Sequence, residues 1–323
     1  MDHKHQPGTL WRRAIRNPWH VALVLAPLLL SGAPQLAAAQ LQVFVSVLPL
    51  QTFVERVGGE RVQVHTMVQP GHSPATYEPT PRQISALADA DIYLRVGVPF
   101  EAAWMRRITA TNPDMPVLDL RDGLALRPQE DHRHADDGDG HEHTGHAPPA
   151  AMDAHVWTSP RLVRQMAMRI RDALSRLDPD GAARYAANQS AFDAELAALD
   201  SELTAKLAGL RNPSFLVYHP AWGYFADAYG LTQVPIEHEG KEPGARRLAT
   251  LIDQARANDA KVILVQPQFD RRAAGQVARA IGGRVEAVDP LSPDYADTLR
   301  GLADVLVSAD GDGDAGPAPT AKP

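Results

Sequence analysis

The 323-residue chain contains no cysteine. This absence excludes a disulfide framework, a thiolate zinc finger, a cysteine-ligated iron–sulfur cluster and a cysteine nucleophile. It also excludes an N-terminal cysteine that carries a lipid. The chain has no excess of positive charge either, because its formal net charge is −7. We therefore expect no nucleic-acid partner, since a nucleic-acid-binding face must neutralise phosphates.

Long apolar runs are also scarce, and the clearest one lies near the N-terminus. Four basic residues precede the apolar residues 21–30, and an A-x-A pattern at 37–39 follows them. We expect residues 1–39 to be a secretory signal peptide, cleaved near Ala39/Gln40. Ten residues interrupted by Pro27 are too few for a spanning helix, which needs about 20. In a bacterium with two membranes, the exported chain would be periplasmic.

Two series of short, β-branched apolar segments alternate with helical patterns. The expected strands are 43–48, 62–68, 92–96 and 117–120 in the first series, and 215–218, 231–236, 262–266 and 285–288 in the second. The expected helices between them are 81–88, 221–229, 246–258 and 273–281. Continuous apolar strands separated by helices indicate parallel sheets covered on both faces. The pattern predicts an α/β fold of two similar lobes, each with a parallel sheet of about four strands.

The chain between the two series has helical character. Leucines recur at three- and four-residue spacing from Leu196 to Leu207, which marks one apolar helix face. We expect a first helix between Pro160 and the break at 178–180. A long helix over 181–208, about 40 Å in length, should follow and rigidly join an N-terminal lobe (40–180) to a C-terminal lobe (209–308). Residues 309–323 are expected to form a disordered tail.

A histidine- and acid-rich segment occupies residues 128–149. It has too few apolar residues to pack, so we expect a disordered loop. Imidazoles among carboxylates would hold borderline metal ions loosely and exchangeably. The alternative is a solvated acidic linker. Its five histidines are His132, His134, His141, His143 and His146.

Four further residues are candidate metal ligands. His72, His219 and Asp289 each follow a predicted strand, and His155 lies between the histidine-rich loop and the helical connector. Ligands of open parallel sheets bind beyond the carboxyl ends of the strands. Three imidazoles and one carboxylate suit tetrahedral Zn²⁺, whereas Mn²⁺ prefers more oxygen ligands but stays a second candidate. Each residue alone could equally be a hydrogen-bonded structural residue.

Four motifs occur in the order of a known family. They are GHSPATYEPTP at 71–81, DAHVW at 153–157, YHPAWGYF at 218–225 and VDPL at 288–291. Together they resemble the ZnuA-like zinc- and manganese-binding proteins of bacterial metal-uptake ABC transporters. The resemblance implies two α/β lobes with the metal in the cleft between them, and it implies His155, His219 and Asp289 as ligands. It also implies a permease in the inner membrane, with its cytoplasmic ATPase, as partner of a monomeric binding protein.

The first motif departs from the family pattern. Ala75 stands where the family usually carries a metal-binding histidine, and His72 lies three residues earlier on the same loop. We expect His72 to replace the missing ligand. The alternative is a site of His155, His219 and Asp289 that is completed by water, by Glu237 or by Glu239.

The predicted function is capture of Zn²⁺, with Mn²⁺ as the second candidate, and its delivery to an ABC permease, without enzymatic activity. One alternative is a zinc-dependent hydrolase that uses the same cleft, with Glu237, Glu239 or Glu242 as general base. The chain has no H-E-x-x-H pattern, which weighs against it. A metal-binding surface adhesin is the other alternative, and the missing lipidation cysteine weighs against that.

Overall fold

The computed structural model describes residues 39–129, 152–237, 243–257 and 260–311. The predicted signal peptide up to residue 38 and the histidine-rich segment from residue 130 lie outside the described residues. So does the predicted tail from residue 312. Within the described ranges, no helix is both long enough and apolar enough to span a bilayer.

The N-terminal lobe is a four-stranded parallel sheet with strand order β2-β1-β3-β4. Its elements are β1 Leu41–Val45, α1 Leu48–Gly58, β2 Val62–Thr66, α2 Pro81–Ala86, β3 Ile92–Arg95, α3 Pro99–Thr111 and β4 Val117–Asp119. Local sequence explains several boundaries. Helix α2, for example, begins with a capping box in which Thr80 and Gln83 satisfy each other's backbone amides.

Two long helices follow, α4 Pro160–Leu177 and α5 Ala182–Leu207. The C-terminal lobe repeats the first architecture, with parallel strand order β6-β5-β7-β8. Its elements are β5 Ser214–Val217, α6 Gly223–Tyr229, β6 Thr232–Pro235, α7 Ala245–Ala257, β7 Val262–Val265, α8 Arg272–Ile281, β8 Arg284–Ala287 and α9 Tyr295–Gly311. The predicted fold, two α/β lobes with four parallel strands each and a long helix, is confirmed.

One hydrophobic core runs through both lobes. The leucines of α5 are buried in the same cluster as strand β1 of the first lobe and helix α9 of the second. Leu203, for instance, is fully buried. A second, smaller cluster lies under α7 and α8. Because separating the lobes would expose this shared core to water, we expect only small lobe movements.

Three described helices were not predicted, namely α1, α3 and α9. The predicted strand 43–48 ends at Val45, and α1 begins at Leu48 with a proline in its first turn. Helix α9 extends to Gly311, beyond the expected start of the tail at 309. The carboxylate of Asp310 fixes this end, because it accepts hydrogen bonds from the backbone amides of Arg211 and Asn212.

The turn between α4 and α5 is held by Asp178. Its carboxylate accepts hydrogen bonds from Arg61 at 2.6 and 2.7 Å and from the Tyr185 hydroxyl. The Arg61 guanidinium, helped by Tyr185 and the Gly181 amide, lowers the pKa of Asp178 from 3.8 to about 2. Since the folded pKa lies below the unfolded one, this stabilisation is complete above about pH 3.8 and is lost as pH falls towards 2.

We therefore expect Asp178→Asn to lower the free energy of unfolding by about 1–2 kcal/mol at pH 7, after allowance for solvent screening. The loss should shrink towards zero near pH 2. Urea unfolding of both proteins at several pH values measures it. Asp253→Asn, at an exposed carboxylate 4.0 Å from Arg256, is the control and should change little. An equal loss at every pH would contradict the assigned cause.

Candidate metal site

The cleft between the lobes brings His155 and His219 together. His155 precedes the short helical turn Val156–Thr158 at the start of α4, and His219 lies just beyond the carboxyl end of β5. Their ring centroids are 5.3 Å apart, with the rings inclined by 70°. Trp157 lies beside the first imidazole, and Phe269 stacks on the second with centroids 5.2 Å apart. One imidazole from each lobe is thus available to the same ligand.

Both imidazoles are held by carboxylates through their Nδ1 atoms. His155 Nδ1 is 2.8 Å from Oδ1 of Asp153, which also accepts the His155 backbone amide. His219 Nδ1 is in short contact with Oε1 of the buried Glu237. Because a carboxylate can only accept, we infer that each Nδ1 carries the proton. Both Nε2 lone pairs are then free to bind a metal, which is the usual arrangement of metal-ligating histidines.

Asp153 stays ionised in spite of its burial. Burial alone would raise its pKa, but the hydrogen bonds from the His155 ring and backbone amide, together with the charge of Arg127, lower the pKa below its ordinary value. The Tyr224 hydroxyl donates to the Asp153 carbonyl at 2.9 Å. The carboxylate is therefore a fixed negative group that orients His155.

A cavity of about 290 Å³ opens in front of the two imidazoles. Ala75 reaches it from the loop after β2, and Gln266, Gln268 and Phe269 reach it from the segment after β7. Gln266 is almost fully buried, and its Nε2 donates to the His219 carbonyl at 3.0 Å. Both lobes therefore contribute to one cavity at the carboxyl ends of their strands, where the sequence predicted a site.

The structure places Asp289 beside this cavity. Both of its oxygens lie 3.1 Å from Nε2 of Gln268, and Oδ1 also accepts the Leu291 amide. Asp289 lines a neighbouring cavity with Gly71, the residue before His72.

His72 is exposed on its loop. Its Nδ1 is 3.2 Å from the Pro70 carbonyl, and its ring edge meets Tyr77. It lines neither the cavity at His155 nor the one at Asp289. Among the residues that the structure describes, no group of three or more histidine and acidic side chains converges on a metal position. The ligand roles of His72 and Asp289 thus remain predictions.

Sequence reasoning missed the carboxylates that orient the imidazoles. Glu237 was considered only as an alternative ligand or base, and Asp153 was assigned no role. A usable signal existed for Glu237. It follows β6, the parallel neighbour of β5, so its side chain had to lie near His219 at the same sheet edge.

These carboxylates give a prediction of their own. Asp153→Asn and Glu237→Gln keep the side-chain size but remove the charge that fixes each imidazole. We expect each to weaken zinc binding by about 10–100-fold, the usual effect of an outer-shell carboxylate. A competition titration with a zinc chelator measures this. Asp270→Asn, a carboxylate that pairs with exposed Arg272 outside the cleft, should leave the affinity unchanged, and equal losses in all three variants would refute the orienting role.

Comparison with known proteins agrees with this geometry. The family model described as "ZnuA: Zinc-uptake complex component A periplasmic" matches residues 43–309. The high-affinity zinc uptake system protein ZnuA of Yersinia pestis is 28% identical over 292 residues, which are 85% of this chain and 91% of that protein. The zinc-binding protein AdcA of Streptococcus pyogenes serotype M3 is 28% identical over 265 residues.

That match covers 79% of this chain but 51% of AdcA, so the chain spans about half the length of the AdcA relatives it matches. Among solved structures, a crystal structure of ZnuA superposes with a TM-score of 0.75 and 36% sequence identity. The superposition covers 84% of this chain and 99% of the ZnuA chain. The resemblance expected from the four motifs is confirmed, and the chain belongs to the ZnuA family of periplasmic zinc-uptake components.

Proposed function

We propose that this chain captures Zn²⁺ in the cleft and delivers it to an ABC permease served by a cytoplasmic ATPase. The observation that carries the proposal is the pair of imidazoles, one from each lobe, whose Nδ1 atoms are held by Asp153 and Glu237. Two nitrogen donors with free Nε2 atoms favour Zn²⁺ over Mn²⁺, which prefers oxygen ligands. Membership of a zinc-uptake family supports the same metal, a periplasmic location and the transport partner.

His155 and His219 are the ligands that the geometry supports best. Asp289 is the next candidate, because its only side-chain partner among the described residues is Gln268. His72 would have to swing away from Pro70 and Tyr77 to reach the cavity. The test compares the zinc affinity of the His72→Ala and Asp289→Ala variants. Substitution of a residue that binds zinc lowers the affinity, and substitution of a residue that does not bind zinc leaves it unchanged.

The hydrolase alternative is disfavoured by the same contacts. A general base needs a carboxylate that can reach a metal-bound water. Glu237 is buried and already bonded to His219, while Glu239 and Glu242 lie outside the described residues. This alternative would be supported if the zinc-loaded protein hydrolysed an ester or a peptide and a chelator abolished that activity.

A zinc titration with a competing chelator tests the proposed function. The full chain should show one tight site and, if the segment 128–149 binds metal, additional weaker ones. Deletion of residues 130–149 should remove only the weak class. If the deletion removes the tight site, the cleft is not the capture site. Delivery is tested by zinc accumulation in cells that carry the permease and depend on this protein for growth at low zinc.

A further inference from the structure

Gln268 lies between the two imidazoles and Asp289. It lines the cavity in front of His155 and His219, and it also lines the neighbouring cavity that contains Asp289. Among the described residues, the only other one that lines both cavities is Leu291, whose side chain is apolar. The amide of Gln268 is therefore placed to decide which atoms of Asp289 are open to a metal ion.

The pairing of two strands brings Gln268 and Asp289 together. Strands β7 and β8 pair in parallel, and Gln268 follows the first while Asp289 follows the second. The next residue along the chain, Phe269, stacks on His219 with ring centroids 5.2 Å apart. Packing thus holds the main chain of Gln268 beside one imidazole, and its side chain meets Asp289 at the same sheet edge.

The Gln268 amide occupies the position between the two oxygens of Asp289. Its Nε2 is 3.1 Å from Oδ1 and 3.1 Å from Oδ2. The nitrogen, and not the oxygen, of the amide must face this group, because a carboxylate only accepts hydrogen bonds. A cation that binds both oxygens of a carboxylate takes the same position, at equal distances from the two. The amide and a metal ion bound to both oxygens therefore exclude each other.

Little acceptor capacity remains on this carboxylate. Each carboxylate oxygen can accept about two hydrogen bonds. Oδ1 of Asp289 accepts from Gln268 and, at 2.9 Å, from the Leu291 backbone amide. Oδ2 has Gln268 as its only partner among the described residues. While the amide is in place, Asp289 can thus offer a metal ion no more than one oxygen, Oδ2.

Zinc and manganese differ in how much oxygen ligation they need. Zn²⁺ is almost always four-coordinate in proteins and accepts nitrogen ligands well, so two imidazoles leave few positions to fill. Mn²⁺ favours octahedral sites that are rich in oxygen, so the same two imidazoles leave it dependent on carboxylates. A carboxylate limited to one oxygen meets the needs of zinc and falls short of those of manganese.

We propose that Gln268 is a selectivity residue, which favours Zn²⁺ over Mn²⁺ by keeping the position between the Asp289 oxygens closed to metal; this inference rests on the proposed function. Gln268 does not bind the ion itself. It acts through Asp289 as a positioning residue, and its amide stays on the carboxylate when zinc binds at His155 and His219. Loss of the amide opens both oxygens of Asp289 and produces the oxygen-rich site that manganese requires.

The test compares the affinities of full-chain variants for the two metals. Gln268→Met keeps the length of the side chain but cannot donate to Asp289, and Gln268→Ala removes the side chain beyond Cβ. We expect both to raise Mn²⁺ affinity by about tenfold, the lower end of the range by which partners of metal ligands change affinity. The affinity for Zn²⁺ should stay almost unchanged. Electron paramagnetic resonance measures free Mn²⁺ in the titration, and chelator competition measures Zn²⁺ binding.

The matched control is Gln276→Ala. Gln276 is exposed on helix α8 and lines neither cavity at the cleft. Its replacement should change the affinity for neither metal. A purely structural effect of the Gln268 substitutions would lower both affinities together, so the ratio of the two affinities separates selectivity from stability.

Co²⁺ gives a second readout, because its visible absorption is strong in four-coordinate sites and weak in six-coordinate ones. It also binds imidazole, as Zn²⁺ does. We expect the cobalt complex of the wild type to absorb strongly and that of Gln268→Met to absorb clearly less. Identical cobalt spectra of the two proteins would refute the proposed control of coordination.

Other outcomes would overturn the proposal in different ways. If the ratio of Mn²⁺ to Zn²⁺ affinity is the same in the wild type and in both Gln268 variants, the selectivity role fails while zinc capture stands. The role also fails if the wild type binds Mn²⁺ in the cleft as tightly as Zn²⁺. If the wild type binds no zinc at His155 and His219, the proposed function itself fails, and the selectivity role fails with it.

Discussion

Replacing His219 by alanine is expected to weaken tight zinc binding by about 100-fold or more. The substitution removes one of the proposed ligands of an ion that is almost always four-coordinate in proteins, and protein zinc sites bind with about 10–16 kcal/mol. One quarter of that free energy corresponds to roughly a 100-fold change in the dissociation constant. His155→Ala should have a similar effect, because a carboxylate holds the Nδ1 atom of each imidazole and both rings lie in the same cleft.

The matched control is His65→Ala. His65 stacks on Phe44 and bonds to Gln42 on the sheet of the N-terminal lobe, and it lines neither cavity at the cleft. Competition titration against a fluorescent zinc chelator separates the tight site from weaker ones. A tight site that survives in both His155→Ala and His219→Ala would disprove the assignment, as would an equal loss in the His65 variant.

Replacing Trp157 by alanine is expected to cost about 3–5 kcal/mol of the free energy of unfolding, as for other large buried aromatic residues. Trp157 is 1% exposed, and its indole N–H donates to the Pro290 carbonyl at 2.8 Å. This bond joins the segment that carries His155 to the segment that carries Asp289. Trp157→Phe keeps an aromatic ring in the core but leaves the Pro290 carbonyl without its hydrogen-bond donor. We therefore expect a smaller loss of about 1–3 kcal/mol.

Urea unfolding followed by circular dichroism measures both losses. Trp104→Ala is the control, because this indole is only partly buried and lies under the guanidinium of Arg107. It should cost clearly less than Trp157→Ala. If the two alanine variants lose the same free energy, Trp157 does not hold the lobes together in the way its contacts indicate.

The strands could be predicted because they are short, apolar and bounded by polar residues. Each of the eight predicted strands overlaps an observed one. Helix α1 could not be separated in this way, because a single serine, Ser46, is the only polar residue between β1 and the apolar start of the helix, and it is itself buried. Its start depends on backbone geometry that hydrophobic pattern alone does not record.

The site could be predicted in part for a related reason. His219 and Asp289 follow strands whose carboxyl ends face the cleft, and the rule for parallel sheets locates such residues. The direction of His72 depends instead on a loop that turns at Gly71 with φ of 79°. The pairing of His219 with Glu237, and of Asp289 with Gln268, required the register of neighbouring strands, which a single sequence does not give.

The central claim is that Zn²⁺ binds between the two lobes at His155 and His219. Anomalous diffraction at the zinc edge from crystals of the zinc-loaded protein tests it most directly. The account predicts one strong peak in the cleft, about 2.0–2.1 Å from Nε2 of both imidazoles. A fully occupied zinc peak elsewhere in the molecule, with no density between these two residues, would contradict it.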